Sequence, residues 1–328
     1  MTRSALRLGT RGSQLALWQA RTVAARLEAA GGPPCRIVTI KTSGDRLQEA
    51  PLSEVGGKRL FVKEIEDALS RREIDLAVHS SKDMPAVLPD GLAIAGVLPR
   101  EDPFDAVVLG KSRQPSGPRS VEDLVATLGQ SPSIGTGSVR RVAQLTRLLP
   151  SARFSPIRGN LDTRLRKLDE GQHDALVLAA AGLKRLGFAS RIAFELPVEA
   201  CVPAPGQGIV AVEIRAEDDH VRSAVAAIDD RDAAVALTAE RAVIEALGGG
   251  CQTPVGALAT LAPDDTLEVA AIVIALDGSE AIHGRLSGPR AAAADLGRRL
   301  GEQLLGDGAA EILAQARRVP GAVGGIQP

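Results

Sequence analysis

The stretch Leu6-Arg-Leu-Gly-Thr-Arg-Gly-Ser13 runs from a short apolar strand pattern through a glycine-bearing turn into the helical pattern at 13–29. A second stretch, Ser133-Ile-Gly-Thr-Gly-Ser138, does the same ahead of a helical pattern at 138–149. A strand that hands over directly to a helix leaves the first N–H groups of that helix free, beside the positive end of its dipole. Such a turn is a natural cradle for an anion. Ser13 and Ser138 stand where they either donate hydroxyls to such an anion or act as ordinary helix caps. The recurrence of the unit predicts two related lobes.

Working outward, strand patterns are expected at 6–9, 36–41, 75–79, 92–98, 105–109, 133–135, 153–157, 175–179 and 209–214, with helical patterns between most of them, including 61–71 and 161–170. Alternation of this kind predicts an α/β fold with largely parallel sheets. Residues 99–104 contain two prolines and read as a crossing between lobes, and a second crossing falls near 197–208. Two crossings make a hinge. Beyond residue 230 the pattern changes to a long helix at 232–247, the turn Gly248-Gly-Gly-Cys251, β-rich segments and terminal helices, which predicts a separate α+β domain. The irregular stretch 42–59 reads either as an active-site lid or as an ordinary surface loop.

Composition narrows the function. The chain has 328 residues, 45% of them apolar and 24% charged, so it is long enough for two or three ordinary globular domains. Aromatics are 2% with no tyrosine, and the net charge is −1, which argues against base-stacking platforms and nucleic-acid binding. Seven lysines stand against 32 arginines. Arginine grips carboxylates and phosphates through a planar fork, although compositional bias explains such an excess equally well. The cysteines, Cys35, Cys201 and Cys251, form no C-x-x-C pair, so neither a zinc knuckle nor a disulfide scaffold is expected. No metal site is expected either. With no apolar segment after Met1 and no 18-residue apolar run, a cytoplasmic protein that does not engage membranes is expected.

The chemistry-bearing residues sit at predicted strand ends. In Asp75-Leu-Ala-Val-His-Ser-Ser-Lys-Asp83 a strand ends at the edge where open α/β sheets bind ligands. Asp83 is the candidate catalytic carboxylate, able to stabilise a developing cation and move protons, with Lys82 keeping it ionised. Lys82 and Asp83 also read as a solvated pair opening a loop, and His79 reads more simply as a structural histidine. Arg11, Arg140, Arg141, Arg158, Arg164, Lys184 and Arg185 all fall near strand ends or helix starts, so together they describe a polyanion pocket in a cleft. Cys251, behind three glycines, reads either as an accessible thiol fit for attachment chemistry or as an incidental cysteine.

These residues carry a resemblance to a known family. Thr10-Arg-Gly-Ser-Gln-Leu-Ala-Leu-Trp-Gln19, Val55-Gly-Gly-Lys-Arg-Leu-Phe-Val-Lys-Glu64, Ala77-Val-His-Ser-Ser-Lys-Asp83, Gly135-Thr-Gly-Ser-Val-Arg-Arg141, Arg158-Gly-Asn160, Pro205-Gly-Gln-Gly208 and Gly249-Gly-Cys-Gln-Thr-Pro-Val-Gly256 occur in order. The sequence resembles the porphobilinogen deaminases over nearly its whole length. The resemblance implies two similar doubly wound lobes like those of periplasmic binding proteins, plus a smaller α+β third domain. The implied boundaries are 1–98 with 205–228 for the first domain, 104–199 for the second and 230–328 for the third.

The resemblance also implies a transferase that joins four porphobilinogen units head to tail with loss of ammonia, giving hydroxymethylbilane for haem and related tetrapyrroles. A dipyrromethane cofactor is implied as a thioether on Cys251. Asp83 matches the family's catalytic aspartate. Lys82, Thr136, Ser138, Arg140, Arg141, Arg158 and Arg164 match residues that hold the cofactor and growing chain; Arg11, Ser13, Gln19 and Arg185 match residues at the substrate's acids. Lys58 and Phe61 fall at the end of the family's lid. A monomer is expected. The rival expectation is a non-enzymatic two-lobed small-anion binder, which gives no reason for a cysteine on a glycine-rich turn.

Overall fold

The computed structural model describes residues 5–46, 61–111, 117–248 and 253–318. From the N-terminus come β1 (Leu6–Thr10), α1 (Gln14–Ala29), β2 (Cys35–Thr39), α2 (Ser43–Arg46), α3 (Lys63–Ser70), β3 (Leu76–Ser80) and β4 (Leu92–Val97). Next are β5 (Asp105–Leu109), α4 (Val121–Leu128), β6 (Ser133–Gly135), α5 (Val139–Leu148), β7 (Arg153–Ser155), α6 (Leu161–Asp169), β8 (Ala175–Ala179), α7 (Ala180–Arg185) and β9 (Phe194–Leu196). The chain continues through β10 (Val210–Arg215), α8 (Asp219–Ala226), α9 (Arg231–Ala246), β11 (Val255–Leu261), β12 (Thr266–Ile274), β13 (Ala281–Pro289), α10 (Ala293–Leu304) and α11 (Ala310–Arg318).

The two lobes share one topology. Their five-stranded sheets run β2-β1-β3-β10-β4 and β7-β6-β8-β5-β9. Each sheet is covered on both faces, and the strands are correspondingly apolar. In β5, Val107 and Leu109 pack with Leu124 and Leu145 on one face, while Ala106 and Val108 pack with Leu165 and Leu168 on the other. Alternate side chains of a strand point to opposite faces, so a run apolar at every position has to be buried twice.

The expected parallel character holds for only part of each sheet. β1 runs parallel to β2 and β3, and β6 parallel to β7 and β8. β10 lies antiparallel between β3 and β4, and β5 antiparallel between β8 and β9. The physical reason is the hinge: β5 enters from the first lobe and β10 returns from the second, so each arrives opposite to the helix-linked strands beside it. Both crossings therefore feed strands inside the neighbouring lobe. The remaining sheet, β11-β12-β13, is antiparallel and buries its core against α9, α10 and α11.

Of the expected lid, Thr42 is buried and α2 forms one helical turn where no regular pattern is evident in the sequence. Residues 47–59, including Lys58, lie outside the described residues, as do 249–252 with Cys251.

Candidate active site

The two cradles form as their sequences dictate. Ser13 caps α1 by accepting from Ala16 N at 3.3 Å, and Ser138 caps α5 by accepting from Arg141 N at 3.4 Å. Both hydroxyls therefore serve as caps, which leaves each O–H free to donate. β3 ends in the short turn Ser81–Asp83, and this turn carries Asp83 to the rim of a pocket. Arg11, Ser13, Gln19, Phe61, His79 and Asp83 line that pocket. Gln19 is buried and donates to Ser80 Oγ at 2.8 Å, while the Arg11 guanidinium lies over the Phe61 ring, 4.4 Å from its centroid. Phe61 is thus a wall of the pocket on the first lobe.

On the second lobe, Arg140 and Arg141 of α5 both pair with Asp105, at 2.8 and 2.7 Å. Asp105 is fully buried at the start of β5. Burial opposes its charge, but the two guanidinium groups outweigh this and hold its carboxyl well below the usual range. Arg140 also donates to Val202 O at 2.6 Å, and Arg141 to Val177 O at 3.0 Å. Gln207 joins the lobes. Its amide donates to Asp105 Oδ1 at 2.9 Å and to Pro103 O at 2.7 Å, and accepts from Lys82 Nζ at 3.1 Å.

The positive charges are crowded. Burial, followed by repulsion from Arg141, pushes Lys82 down to about 8, with Asp83 and Asp105 opposing the shift. Arg164, at the start of α6, is lowered by burial and then by Arg141 and Arg11. Cations from both lobes therefore feel one another across the cleft. Arg185 donates to Gly208 O at 2.7 Å, lies 5.5 Å from the Trp18 ring centroid and is lowered by burial. Arg158 is half-buried in the turn between β7 and α6. Lys184 is occupied elsewhere, paired with Asp102 at 2.5 Å and Glu195 at 2.9 Å.

Asp105, Gln207, Glu213 and Glu240 are polar residues of the site that the sequence reading does not single out. Asp105 and Glu213 sit in strands whose other side chains are buried on both faces. An acid in such a run needs an internal partner, and that requirement is the signal that would have found both of them.

A family model described as porphobilinogen deaminase, dipyromethane cofactor binding domain, matches residues 6–223, and one described as porphobilinogen deaminase, C-terminal domain, matches 234–306. The chain belongs to the porphobilinogen deaminase family. Curated porphobilinogen deaminases similar to it include that of Syntrophobacter fumaroxidans, 44% identical over 97% of this chain and 100% of the relative, and that of Syntrophotalea carbinolica, 48% identical over 96% of each. Among solved structures, immunogenic lipoprotein A from Vibrio vulnificus is 14% identical over 70% of this chain and 96% of that chain, with a TM-score of 0.43. A likeness at that level carries no argument about function.

The site fits the cofactor named in the family model that spans both lobes. Thr136 Oγ1 and Arg140 Nε are buried donors without a hydrogen-bond partner among the described residues, beside the crowded cations. Carboxylates are the acceptors such donors suit. Among the described residues no group of acids, histidines and cysteines could hold a metal ion, and no helix is long and apolar enough to cross a membrane.

Proposed function

We propose that the chain is a hydroxymethylbilane synthase, a transferase that joins four porphobilinogen units head to tail with release of ammonia on a dipyrromethane primer. The observation that carries this reading is the gathering of Arg11, Lys82, Arg141 and Arg164 around one cleft, where burial and, after it, the neighbouring guanidinium groups lower Lys82 and Arg164, so that a bound anion is favoured there. Every ring of such a chain bears an acetate and a propionate. Lys82, Thr136, Ser138, Arg140, Arg141, Arg158 and Arg164 hold the acids of primer and growing chain, and Arg11, Ser13, Gln19 and Arg185 hold those of the incoming unit. The primer, when bound, would supply the ring carbon that receives the first unit, and each later unit would join the free ring carbon of the unit added before it.

Asp83 stabilises the cation that forms on the incoming pyrrole as ammonia leaves, an electrostatic role for a carboxylate at the pocket rim. Cys251 takes the thioether. Its two rivals are poor nucleophiles: burial pushes Cys35 up to about 11 and Cys201 up to about 12, so their thiols stay protonated. The segment 42–59, with Lys58 near its end and Phe61 just beyond, closes over the pocket and excludes water. The domains are 1–98 with 205–228, 104–199 and 230–328. The protein acts as a cytoplasmic monomer without nucleic acid or membrane partners.

The test is turnover of porphobilinogen with matched release of ammonia. Asp83→Asn lowers kcat by about 10²–10³-fold while the protein stays folded and binds substrate. Near-normal turnover by this variant contradicts the assignment.

A further inference from the structure

β3 and β10 carry a polar pair inside an otherwise apolar layer. His79 of β3 lies opposite Ala211 of β10, and Glu213 lies opposite Ala77, so the two polar side chains share a sheet face with alanines. His79 Nε2 is 3.1 Å from Glu213 Oε2, and the side chains are 3% and 0% exposed. Glu213 Oε1 is buried with no hydrogen-bond partner among the described residues. A carboxylate enclosed with a single partner is an expensive way to fill space between two alanines. The arrangement calls for a second reason.

The tautomer suggests one. With Nε2 pointed at a carboxylate, the ring proton belongs on Nε2, and Nδ1 is left as a lone-pair acceptor. His79 lines the pocket that also holds Arg11, Ser13, Gln19 and Asp83, and its Nδ1 has no hydrogen-bond partner among the described residues. One part of this pocket therefore offers a guanidinium, and another an acceptor backed by a buried negative charge. The matching ligand carries both acids and an ammonium group.

We propose that the His79–Glu213 pair is the subsite for the aminomethyl ammonium of the incoming substrate, with His79 Nδ1 accepting its N–H and Glu213 supplying the charge behind it. The proposal rests on the reading that this pocket takes porphobilinogen. Arg11 holds the acids away from this corner, so the pair fixes which end of the unit faces inward.

Two amides separate this role from a structural one. Gln at position 79 places its amide near the Nε2 position, keeping the contact to Glu213 and losing the Nδ1 acceptor, whereas Asn places its carbonyl near Nδ1 and loses Glu213. The holoenzyme is assayed with porphobilinogen for each variant. His79→Gln is expected to lower kcat/KM by about tenfold to a hundredfold, mainly through KM, and His79→Asn to lose less than His79→Gln. A merely structural histidine reverses that order, with Gln tolerated and Asn damaging, and that result overturns the proposal. Glu213→Gln keeps a hydrogen bond to His79 and removes the charge. It is expected to raise KM about tenfold, and it decides the question if His79→Gln does not fold; a KM within twofold of the parent then overturns the proposal. Turnover by the parent enzyme in the same assay reports on the deaminase reading itself, so failure of one is distinguished from failure of the other.

Discussion

Lys82 is the residue at which the crowding of charge can be read most directly. Its folded value of about 8 lies below the unperturbed 10.5, first because of burial and then because of Arg141. Between those values the unfolded chain holds a proton that the folded chain has released, so stability gains with rising pH across this window. Below about 8 the charged ammonium opposes folding in full, and above 10.5 it no longer contributes. An anion in the cleft restores the charged form, so its binding takes up a proton near pH 8–10.5 and weakens as pH rises through that range. The check is the urea midpoint of cofactor-free protein at several pH values beside Lys82→Met. The parent is expected to gain on the variant between pH 8 and 10; a constant difference contradicts the account. Lys82, Asp83 and Arg11 were legible because they end strands, where ligands bind. Asp105 was not legible as a site residue, because its role depends on Arg140, Arg141 and Gln207 arriving from other elements.

At the scale of elements, the crossings bind the site together. The 203–208 segment gives Gly206 N to Glu240 at 2.5 Å, while the Gly208 carbonyl accepts from Arg185 at 2.7 Å and from Glu101 N at 3.0 Å. Gly208 has φ +86, and a Cβ there would stand 2.1 Å from Glu101 O. Backbone against backbone leaves no room to yield. Gly208→Ala is expected to destabilise the protein by about 2–4 kcal/mol and to lower activity in the folded fraction, since Gln207 sits on this turn and Arg185 of α7 donates to its Gly208 carbonyl. Chemical denaturation checks it, and a change under about 0.5 kcal/mol contradicts it. The strand–turn–helix units were readable from their glycines and serines. β9 (Phe194–Leu196) is as short as β6 but lacks the glycine-bearing strand–turn–helix unit that marks β6, and it carries an exposed Glu195, while the reversed directions of β5 and β10 depend on which lobe each strand joins.

Across the whole molecule, one buried carboxylate ties the parts together. Glu240 of α9 is fully buried and accepts from Arg100 in the first crossing at 2.6 Å, from Gly206 in the second, and from Ala259 of β11 at 2.7 Å. The third domain is thereby fastened to both crossings. A ligand bound across both lobes stabilises the whole through linkage, since it holds the folded state alone.

The central claim is that Cys251 carries a dipyrromethane in that cleft, and intact-protein mass spectrometry with peptide mapping, beside Cys251→Ser, tests it most directly. The account predicts an adduct with the mass of two linked pyrrole units on Cys251, present after purification or after incubation with porphobilinogen, and absent from the variant. A parent protein that stays unmodified and inactive after that incubation, or an adduct on Cys35 or Cys201, contradicts it.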